Sequence, residues 1–295
     1  HRLMRREVAV KLITGKADEE AIARFEREVQ LCCTLTHPNT IQIYDYGRTD
    51  DGTFYYAMEL LRGIDLEDTV STYGPLEPAR VIHLLVQACG SLAEAHDRQL
   101  IHRDIKPANL FLCERGGEVD VVKVLDFGLV KSTEAQSVRL SRDDMISGTP
   151  QYMAPEIAKQ AKDVDGRSDL YSLACVGYFL LTGHCVFEHE SVMHLVMDHM
   201  NTPAPLPSAR TKELIPEDLE AVIMRCLEKD PTQRFSDARA FAAALTACRD
   251  ADGWTMTAAR AWWKERELPK PMASASPTTK HLAPTLTLGN RPLVP

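Results

Sequence analysis

The chain reads as an α+β protein, a small β-rich portion followed by a larger helical one, on three observations. Residues 7–13, 41–47 and 53–60 are short runs rich in branched and aromatic apolar residues, the pattern of strands. The last two flank Asp51-Gly52, a strong hairpin signal. Beyond residue 78 the apolar spacing becomes helical: the stretch 78–98 carries Val81, Leu84, Leu85, Ala88, Leu92 and Ala95 on one stripe. A helix over 18–35, with Ile22, Phe25, Val29 and Cys32/Cys33 inward, is expected between the first two strands.

Composition narrows the function. At 295 residues the chain suffices for one two-lobed domain and a tail. A hydrophobic fraction of 44% with 26% charged residues is ordinary for a soluble globular protein. A net charge of −8 argues against a nucleic-acid or anionic-membrane surface as the main partner. The eight cysteines form no C-x-x-C pair and lie in apolar stretches, the usage of a reducing, cytoplasmic compartment. The best apolar segment, 170–182, is interrupted by Ser172 and Gly177 and falls short of the ~20 residues a membrane span needs.

The chemistry concentrates in residues 102–109, His-Arg-Asp-Ile-Lys-Pro-Ala-Asn. Seventeen residues beyond Asn109, a β-like run over 119–125 ends in Asp126-Phe127-Gly128. An acid, a lysine two residues later, an amide five residues from that acid and a second acid at a strand end are the groups that phosphoryl transfer from Mg-ATP requires. The stretch resembles the catalytic loop of eukaryotic-like (Hanks-type) protein kinases. Lys106, together with the Gly148-Thr149-Pro150-Gln151-Tyr152 stretch, marks the serine/threonine branch. Tyr152-Met153-Ala154-Pro155-Glu156 and Arg234 complete the resemblance, which covers residues 1–249 and has a bacterial character.

The resemblance implies a two-lobed protein kinase-like fold, with residues 1–60 as a partial small lobe and 61–249 as the large lobe. It implies ATP and Mg²⁺ as cofactors and proteins bearing Ser or Thr as substrates. Asp104 would accept or orient the substrate hydroxyl proton, Lys106 would neutralise the γ-phosphate, and Thr149 would brace both. Asn109 and Asp126 would hold Mg²⁺ through oxygen. Lys11 would hold the α- and β-phosphates, with Glu28 holding Lys11. Met58 is then the gatekeeper, and the Glu59 carbonyl and Leu61 N–H meet adenine. Asp65 reaches the ribose hydroxyls, and Phe111 forms the apolar floor. Arg103 implies an anionic partner in the activation segment, among Ser132, Thr133, Ser137, Ser141 and Ser147, with Asp143-Asp144 partly substituting for phosphate. The glycine-rich loop of the family is expected upstream of His1, since no glycine precedes Gly15.

Two further features need weighing. His184, His189, His194 and His199 recur every five residues, but that step turns about 500° on a helix and does not gather ligands on one face. Surface or packing histidines are expected. Residues 250–266 hold all three tryptophans, read as a short helix docked on the large lobe or on a partner. Residues 267–295, rich in Pro, Ser and Thr, read as a disordered tail. Two other functions compete with phosphorylation of proteins: a scaffold without turnover, against which all four of Lys11, Asp104, Asn109 and Asp126 speak, and a small-molecule phosphotransferase, which has no use for a polypeptide-docking segment. Any membrane tether is expected to lie in segments outside this sequence.

Overall fold

In the computed structural model, residues 7–13, 19–49, 52–127 and 149–266 are described. The amino-terminal part holds β1 (Val8–Ile13), α1 (Glu19–Cys33), β2 (Ile43–Arg48) and β3 (Phe54–Glu59). The strands form an antiparallel sheet in the order β1-β3-β2, with Lys11 opposite Tyr56 and Ala9 opposite Met58. Gly52, at φ +85°, takes the left-handed conformation that the β2–β3 turn demands. Val29, Cys32 and Leu35 are buried, as the helical spacing of this segment requires.

Three short strands form a second antiparallel sheet: β4 (Gly63–Asp65), β5 (Leu110–Arg115) and β6 (Glu118–Val124), in that order. The sequence reading did not separate β4, a three-residue strand too short to show a periodicity. It carries the chain into α2 (Leu66–Tyr73), which Asp65 caps by accepting the Asp68 N–H at 2.8 Å. Then α3 (Pro78–Asp97) opens on a proline, whose missing N–H costs nothing at that position.

The large lobe continues through α4 (Pro155–Ala158), α5 (Arg167–Thr182), α6 (Val192–Asn201), α7 (Glu217–Cys226), α8 (Ala238–Thr246) and α9 (Met256–Arg266). Helix α5 is apolar all round and lies at the centre of this lobe, with Leu170, Tyr171, Leu173 and Val176 fully buried. Gly177 permits that position. A Cβ there would stand 2.8 Å from Ile223 Cδ1 on α7 and 2.9 Å from Leu85 Cδ1 on α3. The helix ends at Gly183, whose φ of +74° suits a left-handed cap.

Two buried contacts fix the rest of the lobe. Arg234 and Glu156 pair through two hydrogen bonds, Nη1–Oε1 at 2.7 Å and Nη2–Oε2 at 2.9 Å, joining the segment before α8 to α4. The four histidines do not converge. His184 pairs with Glu188, His189 with Asp198, and His199 is buried with its ring nitrogen 2.9 Å from the Tyr171 hydroxyl.

Burial, with the nearby Lys229 ammonium adding to it, lowers the His199 pKa to about 4 from the ordinary 6.5. The folded ring is therefore neutral where the unfolded one takes a proton, so this contribution to stability is complete above pH 6.5 and lost towards pH 4. Urea unfolding across that window is expected to show stability falling by up to about 3 kcal/mol on account of this residue. His199→Gln should be less stable at pH 7 and should lose less on acidification. An equal loss in the variant would remove His199 as the source.

Candidate active site

The catalytic-loop backbone is held from below by one carboxylate. Asp169, in the first turn of α5 and 1% exposed, accepts the His102 N–H and the Arg103 N–H, both at 2.8 Å, and lies 2.8 Å from His96 Nε2. Burial alone pushes its pKa up, but the His96 bond and charge and the His102 N–H together hold it below the usual carboxylate range. Arg103 has φ +62°, a conformation unfavourable for a residue with a side chain, and the bond to Asp169 offsets that cost. The side chain of His102 faces the other way, with Nε2 at 2.7 Å from the Leu125 carbonyl and its ring against Phe127. The loop and the residue before Asp126 are thereby one unit.

On this base the predicted loop residues come together. Lys106 Nζ lies 3.2 Å from Asp104 Oδ2 and donates to Thr149 Oγ1 at 3.0 Å. Asn109 Nδ2 donates to the Asp104 carbonyl at 2.8 Å and to its Oδ2 at 3.1 Å. With its nitrogen committed to Asp104, the Asn109 amide presents its oxygen as the remaining donor to a cation. Leu125 N–H bonds the Asn109 carbonyl at 2.9 Å, which seats Asp126 beside the loop.

Asp126 itself, at φ +55°, pairs through Oδ2 with Lys11 and accepts the Tyr56 hydroxyl on Oδ1 at 2.5 Å. Lys11 and Tyr56 are cross-strand partners on β1 and β3, so one step of the sheet register aims both groups at one carboxylate. Tyr56 escaped the sequence reading because a tyrosine in a strand reads as core. It is 1% exposed, and burial and the Asp126 charge push its hydroxyl well above the ordinary tyrosine range. Glu28 is half-buried on α1, one turn before Cys32.

The residues expected to meet adenine and ribose lie where the two sheets meet. Met58 and Glu59 end β3, Leu61 follows, and Asp65 on β4 stands directly across from Phe111 on β5. The side chain of Glu59, expected only to lend its carbonyl, is buried. Its Oε1 lies 2.6 Å from Lys123 Nζ and accepts the Gln42 N–H at 3.0 Å, and Arg115 pairs with Oε2. Lys123, 2% exposed on β6, also donates to the Thr40 carbonyl at 3.1 Å. Desolvation opposes the charge on Glu59, but Lys123 outweighs it and the pKa lies below the ordinary value. A lone lysine inside the apolar run 119–125 was the available sign of this pair. Gly128, Gly148 and the residues proposed to answer Arg103 (Ser132, Thr133, Ser137, Ser141, Ser147, Asp143 and Asp144) lie outside the described residues.

Residues 1–246 match the protein kinase domain family. The chain belongs to that family. It is 39% identical over 234 residues to the serine/threonine-protein kinase pkn3 of Myxococcus xanthus, covering 78% of this chain and 43% of the relative. It is 33% identical to the serine/threonine-protein kinase PrkC of Bacillus subtilis, covering 85% and 38%. The kinase domain of Mycobacterium tuberculosis PknI superposes with a TM-score of 0.63 at 29% identity, covering 81% of this chain and 84% of that one. The expected two-lobed kinase fold and bacterial serine/threonine type are therefore those of this chain, which spans about two fifths of the length of these curated relatives.

The buried Glu59–Lys123 pair has a measurable consequence. Removing one partner of a buried ion pair leaves the other charge uncompensated, at a cost of about 3–5 kcal/mol. Arg115 keeps Glu59 partly compensated, so Lys123→Met is expected to lower unfolding free energy by about the lower end of that range in denaturant titration, and Glu59→Gln/Lys123→Met together by clearly less.

Proposed function

We propose that this chain transfers the γ-phosphoryl group of Mg-ATP to serine and threonine hydroxyls of proteins, including its own activation segment. The chain of contacts of 3.2 Å or less that joins Asn109 to Asp104, Asp104 to Lys106 and Lys106 to Thr149, beside the pair of Asp126 and Lys11, carries this reading. The substrate oxygen attacks the γ-phosphorus, the bond to the β-phosphate oxygen breaks, and ADP leaves. Asp104 takes the hydroxyl proton, and Lys106 balances charge on the phosphoryl oxygens as they pass from ATP to the acceptor. Thr149, on Lys106, holds that ammonium in place and lines the approach of the acceptor.

Asn109 and Asp126 offer oxygen only, the donor set that suits Mg²⁺. When bound, the ion draws negative charge from the phosphates. Lys11 shares Asp126 with Tyr56 and is placed to exchange that partner for the α- and β-phosphates as ATP enters. Its contact with Glu28 belongs to the same proposal. Backbone groups at Glu59 and Leu61 read adenine, under Met58 and over Phe111, and Asp65 takes the ribose. Asp65, half-buried and with burial raising its pKa, is suited to a neutral sugar hydroxyl rather than to a cation.

Protein substrates and ATP are the partners of this reading; the acidic net charge speaks against nucleic acid. All eight cysteines are free thiols and most are buried, which supports a cytoplasmic location for the domain. Among the described residues no helix is long and apolar enough to cross a membrane.

Incubation with Mg-ATP and a general acceptor protein, with phosphosites mapped by mass spectrometry, tests the proposal. Phosphoserine or phosphothreonine is expected in the wild type, and Asp104→Asn should lower the rate about 10²- to 10⁴-fold without abolishing ATP binding. Nucleotide binding with no phosphate transferred to any protein would favour the scaffold.

A further inference from the structure

Helix α9 lies beyond the residues matched by the family, yet it is built into the lobe through an unusual cluster. Asp120, on β6, is fully buried and each of its carboxylate oxygens accepts two hydrogen bonds. Oδ2 takes Arg80 Nε at 2.8 Å and Trp254 Nε1 at 2.9 Å. Oδ1 takes Arg80 Nη2 at 2.8 Å and Trp263 Nε1 at 2.5 Å. The Arg80 guanidinium is also enclosed by all three tryptophans, with ring centroids at 3.9 Å for Trp262, 5.0 Å for Trp254 and 5.3 Å for Trp263. Arg80 Nη1, buried and without a hydrogen-bond partner, is accounted for by those ring faces.

The cluster reaches three elements. Tyr73, the last residue of α2, packs edge-on against Trp262 and Trp263. Arg260 donates to the Gly117 carbonyl in the β5–β6 turn at 2.7 Å, so that turn is a contact of α9 rather than the tolerated surface insertion that its glycines suggest. Asp120, at φ +57°, is held in a bulge of β6 that its side-chain bonds and the Gln87 bond to its carbonyl maintain. These are the elements that carry the nucleoside end of the cleft. Asp65 caps α2 at the end opposite Tyr73. Phe111 stands between Asp65 on β4 and Lys123 on β6, each its direct cross-strand partner.

We propose that the tryptophan cluster of residues 254–263 is a positioning element for the nucleoside half of the ATP site, fixing Asp65 through α2 and Phe111 through β6. The inference rests on the nucleotide reading of that cleft and adds to it a group of residues about which the catalytic motifs are silent. It bears more on the nucleoside half of the ligand than on the phosphate half, because Lys11 is set by β1, and Asp126, two residues past β6, is tied separately to Tyr56 on β3 and, through Leu125, to the catalytic loop.

The test measures binding of Mg-ADP and of Mg-tripolyphosphate to the whole chain by calorimetry, so that turnover plays no part. Trp263→Phe keeps a ring and loses the bond to Asp120. It is expected to weaken Mg-ADP about fivefold or more while tripolyphosphate affinity stays within twofold. Arg260→Ala, an exposed change that spares the buried cluster, should shift Mg-ADP in the same direction by a smaller factor, and it serves if Trp263→Phe does not fold. A folded Trp263→Phe or Arg260→Ala chain with wild-type affinity for Mg-ADP overturns the inference alone. Equal weakening of both ligands also overturns it, because a general loosening of the fold would act so. Failure of the wild type to bind Mg-ADP removes the nucleotide reading and this inference together.

Discussion

Asp169 meets three donors at once, the N–H groups of His102 and Arg103 and the ring of His96, from the first turn of a helix that is itself packed on every side. The backbone of the catalytic loop depends on that carboxylate. It holds Arg103 in a left-handed conformation, which turns the chain so that His102 faces Leu125 and Asp104 faces Lys106. A buried carboxylate accepting several N–H bonds keeps its charge, and a charged acceptor makes bonds roughly twice as strong as a neutral one. The rigidity that phosphoryl transfer needs from its loop thus originates in the core of the large lobe.

Three further buried pairs repeat this use of charge at the joints between elements: Glu156 with Arg234, Glu59 with Lys123, and Asp120 with Arg80. Such pairs add little net stability over apolar residues of the same shape. What they supply is register, since each carboxylate is satisfied only when several separate segments are in place. Glu59 requires β3, β6 and the strand end at Arg115 together, and Asp120 requires α3, β6 and both ends of the 254–263 segment.

The groups legible in the sequence are those whose spacing along the chain is itself the chemistry. Asp104, Lys106 and Asn109 lie within six residues, and the backbone brings them together almost without help. Tyr56, Lys123, Arg80 and Asp120 act across the fold, and nothing in their immediate neighbourhood announces a partner 40 to 70 residues away. Tyr56 is disguised by its place in a β-run; Arg80 and Lys123 are conspicuous only as lone charges among apolar residues. The helical and strand periodicities located the larger elements, while β4 was hidden by its length.

The concentration of every tryptophan at one corner of the large lobe also makes the chain's ultraviolet emission a local signal. Indole emission depends on its surroundings, and here those surroundings include the Arg80 and Arg266 guanidinium groups, the Asp120 carboxylate and Tyr73. Fluorescence followed during denaturation will report the departure of α9 from Arg80 and Asp120, whereas circular dichroism will report the helices of the whole lobe. Where the two curves separate, the carboxyl-terminal segment is a cooperative unit of its own; where they coincide, it melts as part of the domain on which it is packed.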